Sequence, residues 1–134
     1  MARMPALYIP HGGGPSFFME GERKQRYQQT EDFLRNLQNL LPVQPRSILI
    51  ITAHWETAVP TLTGAAQPEL IYDYYGFPKE TYELKYPAPG CPNLANRAAE
   101  LIRQSGFPAY VDPHYGWDHG VFIPLKVMYP KADI

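Results

Sequence analysis

The spacing of apolar positions along this chain changes several times, and each change marks an element. Ala6 to Ile9 is a short apolar run between two prolines, which predicts a buried strand rather than a helix. From Thr30 onward the apolar residues Phe33, Leu34, Leu37, Leu40 and Leu41 recur at helical spacing. Thr30 is placed to cap that helix, Glu31 and Asp32 suit the positive end of its dipole, and Pro42 stops it. Ser47 to Thr52, SILIIT, is a continuous β-branched and aliphatic run, the pattern of a strand covered on both faces in a parallel sheet. Strand, helix, strand then predicts a right-handed βαβ unit.

The second half repeats the alternation. Pro92 fits a first helical turn, Leu94, Ala98, Leu101 and Ile102 form one face, and Gly106 supplies the stop. Ala109 to Val111 reads as a weaker strand, and Val121 to Met128 as a short helix. The fold class expected is α/β, a central, mostly parallel sheet flanked by helices, with residues 1–134 forming one domain. The ending YPKADI looks like a turn into a further strand, so the chain is expected to be the front part of a larger protein.

Composition narrows the partners. Twelve Lys and Arg balance thirteen Asp and Glu, and a net charge of -1 offers no footprint for nucleic acid or an anionic membrane. The single cysteine, Cys91, rules out an internal disulfide and a Cys-based zinc site, and there is no signal segment or apolar run of membrane-spanning length. A cytoplasmic protein with small, weakly charged ligands is expected. Fifteen prolines and ten tyrosines crowd toward residues 68–92, where Tyr74, Tyr75, Phe77, Tyr82 and Tyr86 either wall a pocket for a flat ring or staple a loop to the core.

The histidines stand out by position. His11 follows ALYIP and precedes Gly12, Gly13 and Gly14, and His54 follows the second apolar run in the same way. Carboxyl ends of parallel strands form a ligand crevice, so side chains leaving two such strands converge there. A lone strand-end histidine more often bonds a loop carbonyl, but a matched pair beside bare backbone points to a divalent metal. In DPHYGWDHG, His119 is the candidate acid or base, with a third ligand as its other role, and Asp118 is placed to orient or charge-balance a neighbour. His114 is read as structural or pocket-lining. Glu56 lacks the Cys pair that a zinc deaminase needs, and HGGG lacks a nucleophile-elbow serine.

The segments PHGGGP, TAHWE, YDYYGFPKETYELKYPAPG and WDHG, in this order, resemble the class III extradiol ring-cleaving dioxygenases, in the branch of DOPA 4,5-dioxygenase-like proteins. The resemblance implies one mononuclear Fe(II) or Zn(II), a small catecholic substrate and O2. It puts two histidine ligands at His11 and His54 and an active-site histidine at His119. It also implies a longer chain with a further ligand in its second half. Residues 1–134 are then expected to hold part of a site, completed by a complementing C-terminal half or accompanied by homo-oligomer formation. The function expected is extradiol ring opening, by the enzyme or a truncated form. The alternative is a non-catalytic metal-binding or oligomerising module, and a metal-independent binding domain stands third.

Overall fold

The computed structural model describes residues 3–134. Helices α1, Glu22–Arg26, and α2, Gln28–Leu37, follow a 3-10 turn at Ser16–Phe18. Strand β1, Thr61–Thr63, leads through the Tyr-rich segment and a 3-10 turn at Lys79–Glu83 to α3, Pro92–Gln104. Strand β2, Tyr110–Asp112, and α4, His119–Met128, complete the order. The fold is α/β with a small parallel sheet.

The ordered βαβ unit is β1, α3 and β2, with Thr61 opposite Tyr110 and Thr63 opposite Asp112 in parallel register. Its first strand carries too few apolar residues to stand out in sequence. Helix α3 begins at Pro92 as expected and ends before Gly106, but the residues it buries most deeply are the small Ala95 and Ala99. Leu101, assigned to the buried face, is exposed. Alanines let the helix backbone approach the strands closely, and larger side chains are displaced to the rim.

Both apolar runs near the histidines depart from expectation. Neither Ala6–Ile9 nor Ser47–Thr52 forms a strand. Ile48 and Ile50 pack on the core, whereas Leu49 and Ile51 face outward, Ile51 with 95% of its surface exposed. A strand needs a neighbouring strand to take its backbone hydrogen bonds, and among the described residues none pairs with this run. The expected pairing of these two runs in one sheet is therefore absent among the described residues.

The core forms around α4. Val121, Phe122, Ile123, Leu125, Val127 and Met128 are all buried, so this helix is apolar around most of its circumference. Helix α2 packs against it through Leu34 and Leu37. The α2 helix starts at Gln28 rather than at Thr30 and turns 3-10 after Leu37, which leaves Phe33 and Leu40 outside the core. The Tyr-rich segment closes the other side. Tyr72 donates to the Leu84 carbonyl at 2.5 Å, Tyr74 to Thr81 at 2.6 Å and Tyr86 to Tyr129 at 3.1 Å. These bonds staple the loop to the core.

A parallel bridge between Leu70 and Trp117 ties the start of that segment to the entrance of α4. The Ile71 N–H donates to the Trp117 carbonyl and the Trp117 N–H to the Glu69 carbonyl, each at 2.8 Å. This bridge brings Asp73 beside His119. Replacing Leu34 by Ala is expected to lower unfolding free energy by about 2–5 kcal/mol, against at most about 0.5 for exposed Leu40→Ala. Urea denaturation of both variants measures the difference.

Candidate metal centre

Each of the three histidines reaches the centre from a different element. His11 precedes Gly12, whose φ of +77° and lack of a side chain let the turn close over the buried Phe17 ring; a Cβ there would lie 2.8 Å from Phe17 Cζ. His54 follows the half-covered run. His119 is the first residue of α4 and is buried.

The side chains converge. Ligand nitrogens of His11, His54 and His119 all lie within 4.8 Å of one another. His11 Nε2 and His54 Nε2 are 2.9 Å apart, and the ring centroids are separated by 4.7, 5.2 and 4.1 Å. Burial, followed by the proximity of His119 and His54, lowers the pKa of His11 below 6.5.

Asp73 orients the third ring. Its Oδ1 accepts from the His119 backbone N–H and from His119 Nδ1–H, each at 2.8 Å. Because a carboxylate only accepts, the proton of this contact sits on Nδ1, which leaves Nε2 as the nitrogen not committed to Asp73. Desolvation pushes the Asp73 carboxyl up, but the hydrogen bonds and charge of His119 outweigh it, and its pKa is lowered overall. Its Oδ2 lies 3.9 Å from His54 Nδ1.

Asp118 does not contact a histidine ring as its expected orienter. Its Oδ1 accepts from the Thr52 hydroxyl at 2.9 Å, and Thr52 in turn accepts the His54 backbone N–H at 3.1 Å. Tyr115 donates to Asp118 Oδ2 at 3.4 Å, and its ring stacks on Trp55 at 3.7 Å with an interplanar angle of 4°. Burial first, then the charges of Asp118 and Asp73, raise the Tyr115 pKa to about 12. His114 lies apart on an exposed turn, where Asp112 accepts its backbone N–H at 2.8 Å, and Glu56 is exposed outside the cluster.

Of the aromatic belt, Tyr74 comes nearest, its ring edge-on to His119 at 5.7 Å, while Tyr75 is exposed and Tyr86 is committed to the core. Sequence reasoning missed Asp73, Thr52, Trp55 and Tyr115. The one available signal was Asp73 itself, a lone carboxylate amid the aromatics of IYDYYGF.

A family model described as the catalytic LigB subunit of aromatic ring-opening dioxygenase matches residues 5–134. The chain belongs to this family. The dioxygenase tasH of Hapsidospora irregularis is 46% identical over all of this chain and 43% of its own length. A 4,5-DOPA dioxygenase extradiol of Portulaca grandiflora is 47% identical over 72% of this chain and 36% of its own length. Its counterpart in Escherichia coli is 37% identical over 98% and 45%. The chain thus spans less than half the length of each of these curated relatives. Among the described residues no helix is long and apolar enough to cross a membrane.

The three nitrogens can hold a divalent cation. Imidazole nitrogens are donors of the kind zinc and ferrous iron accept. His11 Nδ1 is buried with no hydrogen-bond partner among the described residues, so its ring is not tied to another role by that atom.

Gly120 seals the arrangement, since a Cβ there would lie 2.6 Å from His54 Cδ2 and 2.9 Å from Thr52 Oγ1. Gly120→Ala is expected to destabilise the chain by about 1–3 kcal/mol, despite a gain in helix propensity of about 1 kcal/mol. A urea midpoint above wild type would show that the His54 ring does not rest on this turn.

Proposed function

We propose that this chain carries the metal- and proton-handling residues of an extradiol dioxygenase that opens a catecholic ring with O2. The convergence of His11, His54 and His119 within 4.8 Å, in a LigB family member, is the observation that supports the reading. His11 and His54 hold one Fe(II) or Zn(II), and the relatives named as 4,5-DOPA dioxygenases make a DOPA-like catechol the substrate class to try first. A bound divalent metal supplies Lewis acidity toward the catechol oxygens and, as Fe(II), the electrons that activate O2.

His119 is the proton-transfer group in this reading. Asp73 holds the proton on Nδ1, so Nε2 faces the cluster as an acceptor able to take a hydroxyl proton and later return it. Asp73 also stabilises the imidazolium formed in between. Tyr74, edge-on to His119, limits water access from the core side. A ring opened beside its hydroxyls, with both oxygen atoms of O2 retained, is the expected product.

A second role for His119 has its own support, because its ring nitrogen lies as close to the pair as a third ligand would. Metal content separates the two. As a proton-transfer group, His119→Ala keeps a near-stoichiometric metal and loses ring opening by about 100-fold or more. As a ligand, the same variant loses the metal, as His11→Ala and His54→Ala do under either role. Elemental analysis after anaerobic loading with Fe(II), followed by O2 uptake and the appearance of a yellow semialdehyde from DOPA, provides the measurement. Metal bound without O2 uptake would favour a non-catalytic metal-binding module.

A further inference from the structure

Asp118 occupies the N-cap position of α4, where an aspartate commonly accepts an N–H of its own first turn and adds about 1 kcal/mol to helix stability. Here it makes no such bond. Its carboxylate is fully buried, and its partners are hydroxyls rather than a cation. A buried carboxylate that forgoes its own helix is committed to another contact.

The contact leads to His54. A carboxylate oxygen accepts, so the Thr52 hydroxyl proton points to Asp118 Oδ1 at 2.9 Å. The lone pairs of that hydroxyl are then left to take the His54 backbone N–H at 3.1 Å. One oxygen therefore links two segments 66 residues apart in sequence. The second link is steric. The His54 ring rests on the bare backbone of Gly120, whose added Cβ would meet His54 Cδ2, Thr52 Oγ1 and Asp118 Oδ1 at 2.6, 2.9 and 3.0 Å. The run that delivers His54 has no strand partner among the described residues, so nothing in a sheet ladder sets its register.

We propose that Asp118 and Thr52 are positioning residues for His54. Their hydrogen-bond relay docks the His54 loop onto the first turn of α4, and so places the His54 ring between His11 and His119. The inference rests on reading the three imidazoles as a metal site, and it assigns the task that strand pairing would otherwise perform to one hydroxyl and one carboxylate. Neither residue touches the metal or the substrate in this account. Both act through His54.

The test uses the 134-residue chain with Thr52→Val, Thr52→Ser and the control Thr57→Val, whose hydroxyl bonds only the Val59 carbonyl on an exposed loop. Two quantities are read: Zn(II) affinity by competition with a chromophoric chelator, and the NMR cross-peak between His54 Hδ2 and Gly120 Hα in the metal-free protein. Thr52→Val is expected to weaken zinc binding about tenfold, the loss usual when a ligand's supporting hydrogen bond is removed. It should also abolish the cross-peak. Thr52→Ser should restore both, and Thr57→Val should change neither. If Thr52→Val fails to fold, Thr52→Ala carries the same expectation. In a wild type that binds zinc, unchanged affinity in the hydroxyl-free variant overturns the proposal, as does persistence of its cross-peak. A wild type that shows the cross-peak but binds no zinc overturns the metal-site reading instead, and the cross-peak in the variants then decides the positioning claim alone.

Discussion

Three imidazole ligand nitrogens lie within 4.8 Å of one another, and since like charges at that distance repel, the arrangement must be held by the structure around it. Much of the surrounding structure serves that constraint. Burial disfavours charge on His11, and its neighbours reinforce the effect. Asp73 keeps the His119 proton on the outward nitrogen. The result is a cluster of imidazole nitrogens close enough together to hold one metal ion.

Holding the rings in place is the task of α4. Its apolar circumference is clamped by Leu34 and Leu37 of α2 on one side and by the stapled Tyr-rich segment near its ends. His119 begins that helix, so it inherits the rigidity of the most deeply buried element. His54 and His11 arrive on segments without a ladder and depend on side-chain contacts: Thr52 and Gly120 for the first, Phe17 beneath Gly12 for the second. Side-chain hydrogen bonds thus support His54 where, among the described residues, backbone pairing is missing.

Of the two roles that sequence left open for the aromatic belt, stapling the loop to the core is the one its hydrogen bonds show. Tyr72, Tyr74 and Tyr86 spend their hydroxyls on backbone carbonyls, which fixes the loop. The same fixation presents Asp73 to His119 and the Tyr74 ring edge to the cluster. Core packing and site building are one structure here.

By itself the sequence singled out the three histidines that the fold brings together and three of the four α-helices, though not α1. The His11 and His54 placements, the DHG histidine, Pro92 at the start of α3 and the apolar run of α4 follow from local pattern, since capping, helical periodicity and bare backbone beside an imidazole are properties of a few neighbouring residues. The family resemblance was legible for the same reason. Tertiary structure alone decided the rest. Whether Ser47–Thr52 becomes a strand depends on partners outside the run, and Ile51 is exposed because none lies against it among the described residues. Asp73 reaches His119 through the Leu70–Trp117 bridge, and Asp118 bonds the Thr52 hydroxyl rather than a histidine ring directly. These pairings join residues tens of positions apart, and a hydrogen bond of that kind leaves no periodic trace in the chain.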